Sequence, residues 1–136
     1  MSVNSWAYDI GMQIYSLVSY ELKSKLSSYD DLYITNKSKS TSSPQFPTIY
    51  IRELPSVETS RDLENDTING IQITMQVEVS TNKDETELRK IMSVVADVFK
   101  KYHFNVVALL DIDDSGDVIK GVARFRRNKD KYDKLY

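Results

Sequence analysis

From Ile71 to Val79 every odd residue is apolar (Ile71, Ile73, Met75, Val77, Val79) and every even residue between them is polar (Gln72, Thr74, Gln76, Glu78). Strict alternation is the pattern of a β-strand with one face in a core and the other outside it. The stretch Thr67–Thr81 therefore predicts a long strand, and the rest of the chain is read around it.

Upstream, residues 3–26 predict a long helix. At ~100° per residue, Val3, Trp6, Ile10, Ile14, Leu17 and Val18 share one face, the one expected to cover the sheet. Tyr8, Met12, Tyr15, Leu22 and Leu26 fall on a second face, roughly opposite. A helix that covers one side of a sheet needs a single apolar stripe. The second stripe is either a partner surface, since Tyr and Met are enriched in interface cores, or a face covered by a loop or a chain terminus. Asp30–Thr35 predicts a short strand, and residues 36–45 a polar loop. Phe46–Leu54 predicts the next strand, with Pro44 and Pro47 confined to its start or to an edge. Ile49 and Ile51 share one of its faces, Tyr50 and Arg52 the other.

Residues 55–66 are longer than a tight hairpin needs and predict a projecting acidic loop, with Val57 and Leu63 as its only large apolar residues. After the long strand, Asn82 followed by Glu85 gives a capping-box pattern, and Asp84, Glu85 and Glu87 suit the positive end of a helix dipole. Leu88, Ile91, Met92, Val95, Phe99 and Tyr102 then follow helical spacing up to 100–103. Phe104–Ile112 predicts a strand and Asp113–Gly116 a turn, where Gly116 is able to take positive φ. Val118–Arg127 returns as the last strand. Its one face carries Val118, Lys120, Val122, Arg124 and Arg126; the other carries Ile119, Gly121, Ala123 and Phe125. Residues 128–136 read as a flexible tail unless docked on a partner. The sum is a single α+β domain over 1–136: a mixed or antiparallel sheet of four to five strands with two helices packed on one face, in the order α-β-β-β-α-β-β.

Composition narrows the function classes. A chain of 136 residues suits one domain and can bury a core without staples. It has no cysteine, which removes disulfides, thiolate metal sites and thiol nucleophiles, and fits a reducing compartment. No apolar run approaches the ~20 residues of a membrane helix, and the first residues, MSVNSWAYDIG, lack a basic region followed by an apolar one, so no signal peptide is expected. A net charge of −2 argues against a general nucleic-acid binder. The charge is uneven, however. Between Arg52 and Asp66, Glu53, Glu58, Asp62, Glu64 and Asp66 outnumber Arg52 and Arg61. From Lys120 onward, bases outnumber Asp130 and Asp133. These are either two solvated faces or a complementary pair that meets between subunits.

The sequence offers no reaction centre. Asp111–Gly116 superficially resembles a calcium loop, with Gly116 at the sixth position, but Val122 stands where the twelfth-position acid is needed, and the flanking runs predict strands rather than helices. His103 is the only histidine, with no positioning partner legible beside it. There is no glycine-rich phosphate loop, and the acid pairs Asp30–Asp31 and Asp113–Asp114 sit in loops or turns, where solvation is the default. No cofactor, metal or catalytic residue is expected, and the chain is not expected to be an enzyme.

The element order, together with FPTIYIREL, the acidic spacer and TINGIQITMQVEVST-NKDETELRKIMSVVADVF, resembles the tail terminator (tail completion) proteins of long-tailed, siphovirus-type bacteriophages. The residues that carry the likeness are Thr67, Asn69, Thr74, Gln76, Val77, Glu78 and Val79, within a span of about Phe46 to Phe99. The resemblance implies a structural virion protein. It would form a ring, usually a hexamer, at the head-proximal end of the tail tube, stop tail polymerisation and offer the surface for joining tail to head. The implied partners are other copies of the chain, the major tail tube protein and a head-completion or connector protein, with DNA passing through the lumen without specific binding. The implied location is the virion, and the host cytoplasm during assembly. Candidate subunit or partner contacts are Tyr8, Met12, Tyr15, Gln76, Glu78, Arg124 and Arg126. Glu58, Asp62, Glu64 and Asp66 are the candidate lumen loop, where acids would repel DNA; that use competes with a role for the same acids between subunits. The alternatives are another head–tail connector or a monomeric protein-binding adaptor.

Overall fold

The computed structural model describes residues 2–37, 45–60, 63–114 and 116–135. The elements in chain order are α1 (Ser5–Lys25), β1 (Tyr33–Thr35), β2 (Thr48–Glu53), β3 (Val57–Ser60), β4 (Gly70–Thr81), α2 (Glu85–Lys101), β5 (Asn105–Asp113) and β6 (Ile119–Asp130). The class is α+β, with a six-stranded mixed sheet in the order β1-β2-β4-β6-β5, and β3 beside β4. Only β1 and β2 run parallel; the other pairs are antiparallel.

The alternating stretch is the centre of this sheet. β4 pairs along its whole length with β6, and on its other side with β2 and then β3. Its odd residues from Ile71 to Val79 are buried and its even residues half-buried. One core cluster joins those odd residues to the buried stripes of both helices. Phe99 of α2 stacks on Phe125 of β6 with ring centroids 4.4 Å apart, and meets Phe104 edge-on at 5.1 Å. The helices are tied together at the surface, where Glu21 of α1 accepts from the Lys101 ammonium and from the Tyr102 hydroxyl, the latter at 2.9 Å. Those two bonds hold the Glu21 carboxyl below its usual range, the lysine contributing most.

Four expectations are corrected. First, the sheet has six strands rather than four to five, because part of the stretch expected as the acidic loop 55–66 is β3. Only Val57 and Thr59 favour a strand there, and no buried face accompanies them. The strand exists because its backbone pairs with Gly70–Gln72 of β4, a non-local cause invisible to local pattern. Second, Leu22 and Leu26 belong to the core face of α1 with Ile10, Ile14 and Val18, not to the outer face with Tyr8 and Met12, while Val3 is exposed. Residues four apart drift by ~40° per step around a helix. A stripe at strict i, i+4 spacing therefore forms a slanted ridge, and the helix crosses its contact along that ridge.

Third, α2 is capped by Asp84 rather than Asn82. The Asp84 backbone is extended and its Oδ1 accepts from the Glu87 amide at 2.8 Å. Glu87 turns back to accept from the Thr81 hydroxyl at 2.6 Å. Fourth, residues 128–135 are not a loose tail. The β4–β6 ladder continues to Asp130, opposite Gly70. Arg127 and Lys129 occupy the inward side of β6, only 7% and 5% exposed. The Arg127 guanidinium donates to the carbonyls of Tyr102, Lys134 and Leu135 at 2.5–2.8 Å, which fastens the C-terminal segment against the end of α2. Of the expected polar loop 36–45, residues 38–44 lie outside the described residues, as do Arg61, Asp62 and Ser115.

Candidate assembly surface

The cross-strand register brings four of the expected contact residues to one place. Gln76 of β4 lies opposite Arg124 of β6, and Thr74 opposite Arg126. Arg124 Nε donates to Gln76 Oε1 at 3.0 Å, and Arg126 Nε to Thr74 Oγ1 at 3.4 Å. Glu78, two residues further along the same side of β4, stands 3.9 Å from Lys120. On the other flank of β4, Arg52 of β2 is the register partner of Gln76. Arg52, Gln76 and Arg124 therefore form a transverse row across three strands, with Arg126 one step along β6. All three arginines are exposed. This is the sheet face opposite the core, and both helices pack on the core side. It holds two guanidinium groups, those of Arg124 and Arg126, pre-positioned by the neutral acceptors Gln76 and Thr74; such groups suit planar anions such as carboxylates.

The acidic stretch lies elsewhere. Glu58 sits in β3 opposite Ile71 and is half-buried. Glu64 and Asp66 are exposed and flank Asn65, whose φ of 56° is left-handed, a conformation asparagine tolerates and uses to turn the chain sharply. The segment is fastened to the start of α1. Asn4 donates to the Asp66 carbonyl at 3.2 Å and accepts from the Ile68 amide at 2.8 Å, and the Trp6 indole donates to the Ile68 carbonyl at 3.0 Å. Asp62 is outside the described residues.

The expected aromatic patch on α1 does not hold together. Tyr8 is 79% exposed and lines a half-open cleft of about 580 Å³ with Glu53, Pro55 and Glu58. Met12 is also exposed, and its sulfur accepts a weak contact from Asn36 at 3.9 Å. Tyr15 instead turns inward. It packs on the core edge, its hydroxyl points at the Ile34 carbonyl at 3.5 Å, and burial, with Tyr33 nearby, raises its pKa.

Sequence reasoning missed three features. Tyr20 is 77% exposed on the outer side of α1. Val107 and Leu109 are exposed on β5, an edge strand with two register shifts; bulges there displace residues from strict alternation. The third is Glu53. It lies on an exposed residue of β2, yet its carboxyl end is turned against Gly11 of α1, and burial raises its pKa. A glycine in mid-helix was the available signal, since it costs helix stability and calls for a local reason.

Among the described residues no three acidic or histidine side chains gather in a way that could hold a metal ion, and no helix is long and apolar enough to cross a membrane. No protein-family model matches the chain, and no curated protein is significantly similar to it in sequence.

Proposed function

We propose that the chain is a structural assembly protein that associates head-to-tail with copies of itself into a closed ring, and that the ring serves as the tail terminator of a long-tailed bacteriophage. The observation that carries this reading is the pairing of two unlike surfaces on one rigid domain. A helix-free sheet face presents an arginine row, and a separate acidic bend is anchored at the N-terminal end of α1. Unlike surfaces on one chain make heterologous contacts, which close into rings when the rotation allows. The sequence resemblance supplies the context: termination of the tail tube, joining to a head-completion or connector protein, and a lumen through which DNA passes unbound, in the virion and earlier in the host cytoplasm. The reading assigns the chain no catalysis and no cofactor.

Sedimentation and electron microscopy of the purified protein, followed by a tail-tube capping assay, test this. Rings that stop tube growth are expected. A single-copy species that leaves tube growth unchanged would reject the reading. A second reading, a monomeric adaptor, draws on the outer side of α1, where Tyr8, Met12 and Tyr20 are exposed on one helix. It predicts a monomer whose partner binding is lost on Tyr8→Ser or Tyr20→Ser.

A further inference from the structure

We infer that the arginine row formed by Arg52, Arg124 and Arg126 is the docking site for the acidic bend Glu64–Asp66 of a second copy of this chain. The inference rests on the self-assembly reading above and names the two surfaces that meet. Charge complementarity selects the occupant. The row presents three exposed cations, and the hydrogen bonds that Arg124 and Arg126 make within the chain go to neutral acceptors, Gln76 and Thr74. The side chains are exposed, and a guanidinium fork matches a carboxylate in two-point geometry. The bend presents two exposed carboxylates on either side of a left-handed residue.

The bend cannot serve its own row. Its fastenings to Asn4 and Trp6 hold it at the start of α1, in the helix layer. The row lies on the opposite face of the sheet, several residues along β4 from Gly70, and a strand advances ~3.3 Å per residue. A contact between the two surfaces must therefore join different copies. Because the surfaces differ, each copy keeps one of each free for the next, which is the condition for a ring. Both partners are also held in place before they meet. The bend is tied at both Asp66 and Ile68, and two of the three arginines are braced, so little ordering is needed on docking.

Charge reversal with rescue tests this. The double variant Arg124→Glu/Arg126→Glu and the double variant Glu64→Arg/Asp66→Arg are each expected to weaken self-association at least ~tenfold by analytical ultracentrifugation, as for close charge pairs across interfaces. A 1:1 mixture of the two reversed chains should regain association to within ~threefold of the unreversed protein, since opposite signs meet again at every junction when the two chains alternate, as they do in the chain carrying all four changes. The neutral pair Arg124→Gln/Arg126→Gln, whose fold is checked by circular dichroism, covers the case in which a reversed chain fails to fold. Unreversed protein that stays single-copy would reject the assembly reading itself. Assembly that survives both reversals would leave that reading standing and overturn this docking site. So would binding of a 20-bp DNA duplex that is lost with the arginines and indifferent to Glu64 and Asp66, because the row would then be a phosphate surface.

Discussion

Replacing Gly11 by alanine sets two effects against each other, and their magnitudes decide the sign. Gly11 lies inside α1, where glycine is less favourable than alanine by ~0.8–1.0 kcal/mol. The added methyl would come within 1.7 Å of Glu53 Oε2, and its three nearest atoms all belong to the Glu53 carboxyl group. That group is the end of a flexible side chain on an exposed residue, so it can swing into solvent. Leaving sacrifices no hydrogen bond or ion pair and restores hydration, since burial is what raises the Glu53 pKa. Gly11→Ala is therefore expected to stabilise the fold by ~0.5–1 kcal/mol at neutral pH, a rise of a few degrees in Tm for a domain of this size. A raised carboxyl pKa means that the folded state binds the proton more tightly, so stability falls as pH rises through the ordinary value of 4.5 toward the folded one. The variant removes that loss, and its advantage should be larger at pH 7 than at pH 4. Urea denaturation at both pH values measures this. A destabilisation at pH 7, or an equal gain at both pH values, would refute the idea that Glu53 is the obstacle and gains by leaving.

Three further substitutions probe the framework. Val77→Asp places an unpaired charge at a fully buried position of β4 and should cost more than ~4 kcal/mol, seen as loss of cooperative unfolding in a thermal melt. Gly121→Ala on β6 puts a methyl 2.7 Å from Leu88 and 2.8 Å from Leu110 inside the core; overpacking by ~1–3 kcal/mol is expected in chemical denaturation, the opposite sign to Gly11→Ala. Arg127→Ala frees the carbonyls of Tyr102, Lys134 and Leu135 and should cost ~2 kcal/mol or more. Hydrogen exchange should then show lost protection at 128–135, whereas unchanged protection there would mean that Arg127 is not the fastening.

Where local pattern and tertiary environment agree, the fold was legible. β4 alternates because it is flanked on both sides and covered on one face, so Ile71–Val79 predicted its own burial. α2 was legible for the same reason, through Leu88, Ile91, Val95 and Phe99. The failures share a cause outside the local window. β3 depends on the β4 backbone, the Asp84 cap on the backbone conformation before α2, and the inward Arg127 on carbonyls supplied by two distant segments. On α1, the wheel treats the contact as a line parallel to the axis, whereas the packed stripe from Ile10 to Leu26 is slanted. The candidate surface was half legible. Alternation put Gln76 and Glu78 on one side of β4 and Arg124 and Arg126 on one side of β6, but only the register sets Gln76 against Arg124 and brings Arg52 into the same row. Tyr15 was misplaced because an aromatic residue on an outer helical stripe is indistinguishable, by spacing, from one that leans back onto a short neighbouring strand.

In the proposed assembly one chain carries both halves of a head-to-tail contact. Electron microscopy of the purified protein, with sedimentation to count subunits, tests it most directly. Closed rings, hexameric by the resemblance, are predicted, and they should dissolve when Arg124 and Arg126 are reversed. Particles with the mass of a single 15.7 kDa chain at every protein concentration would contradict it.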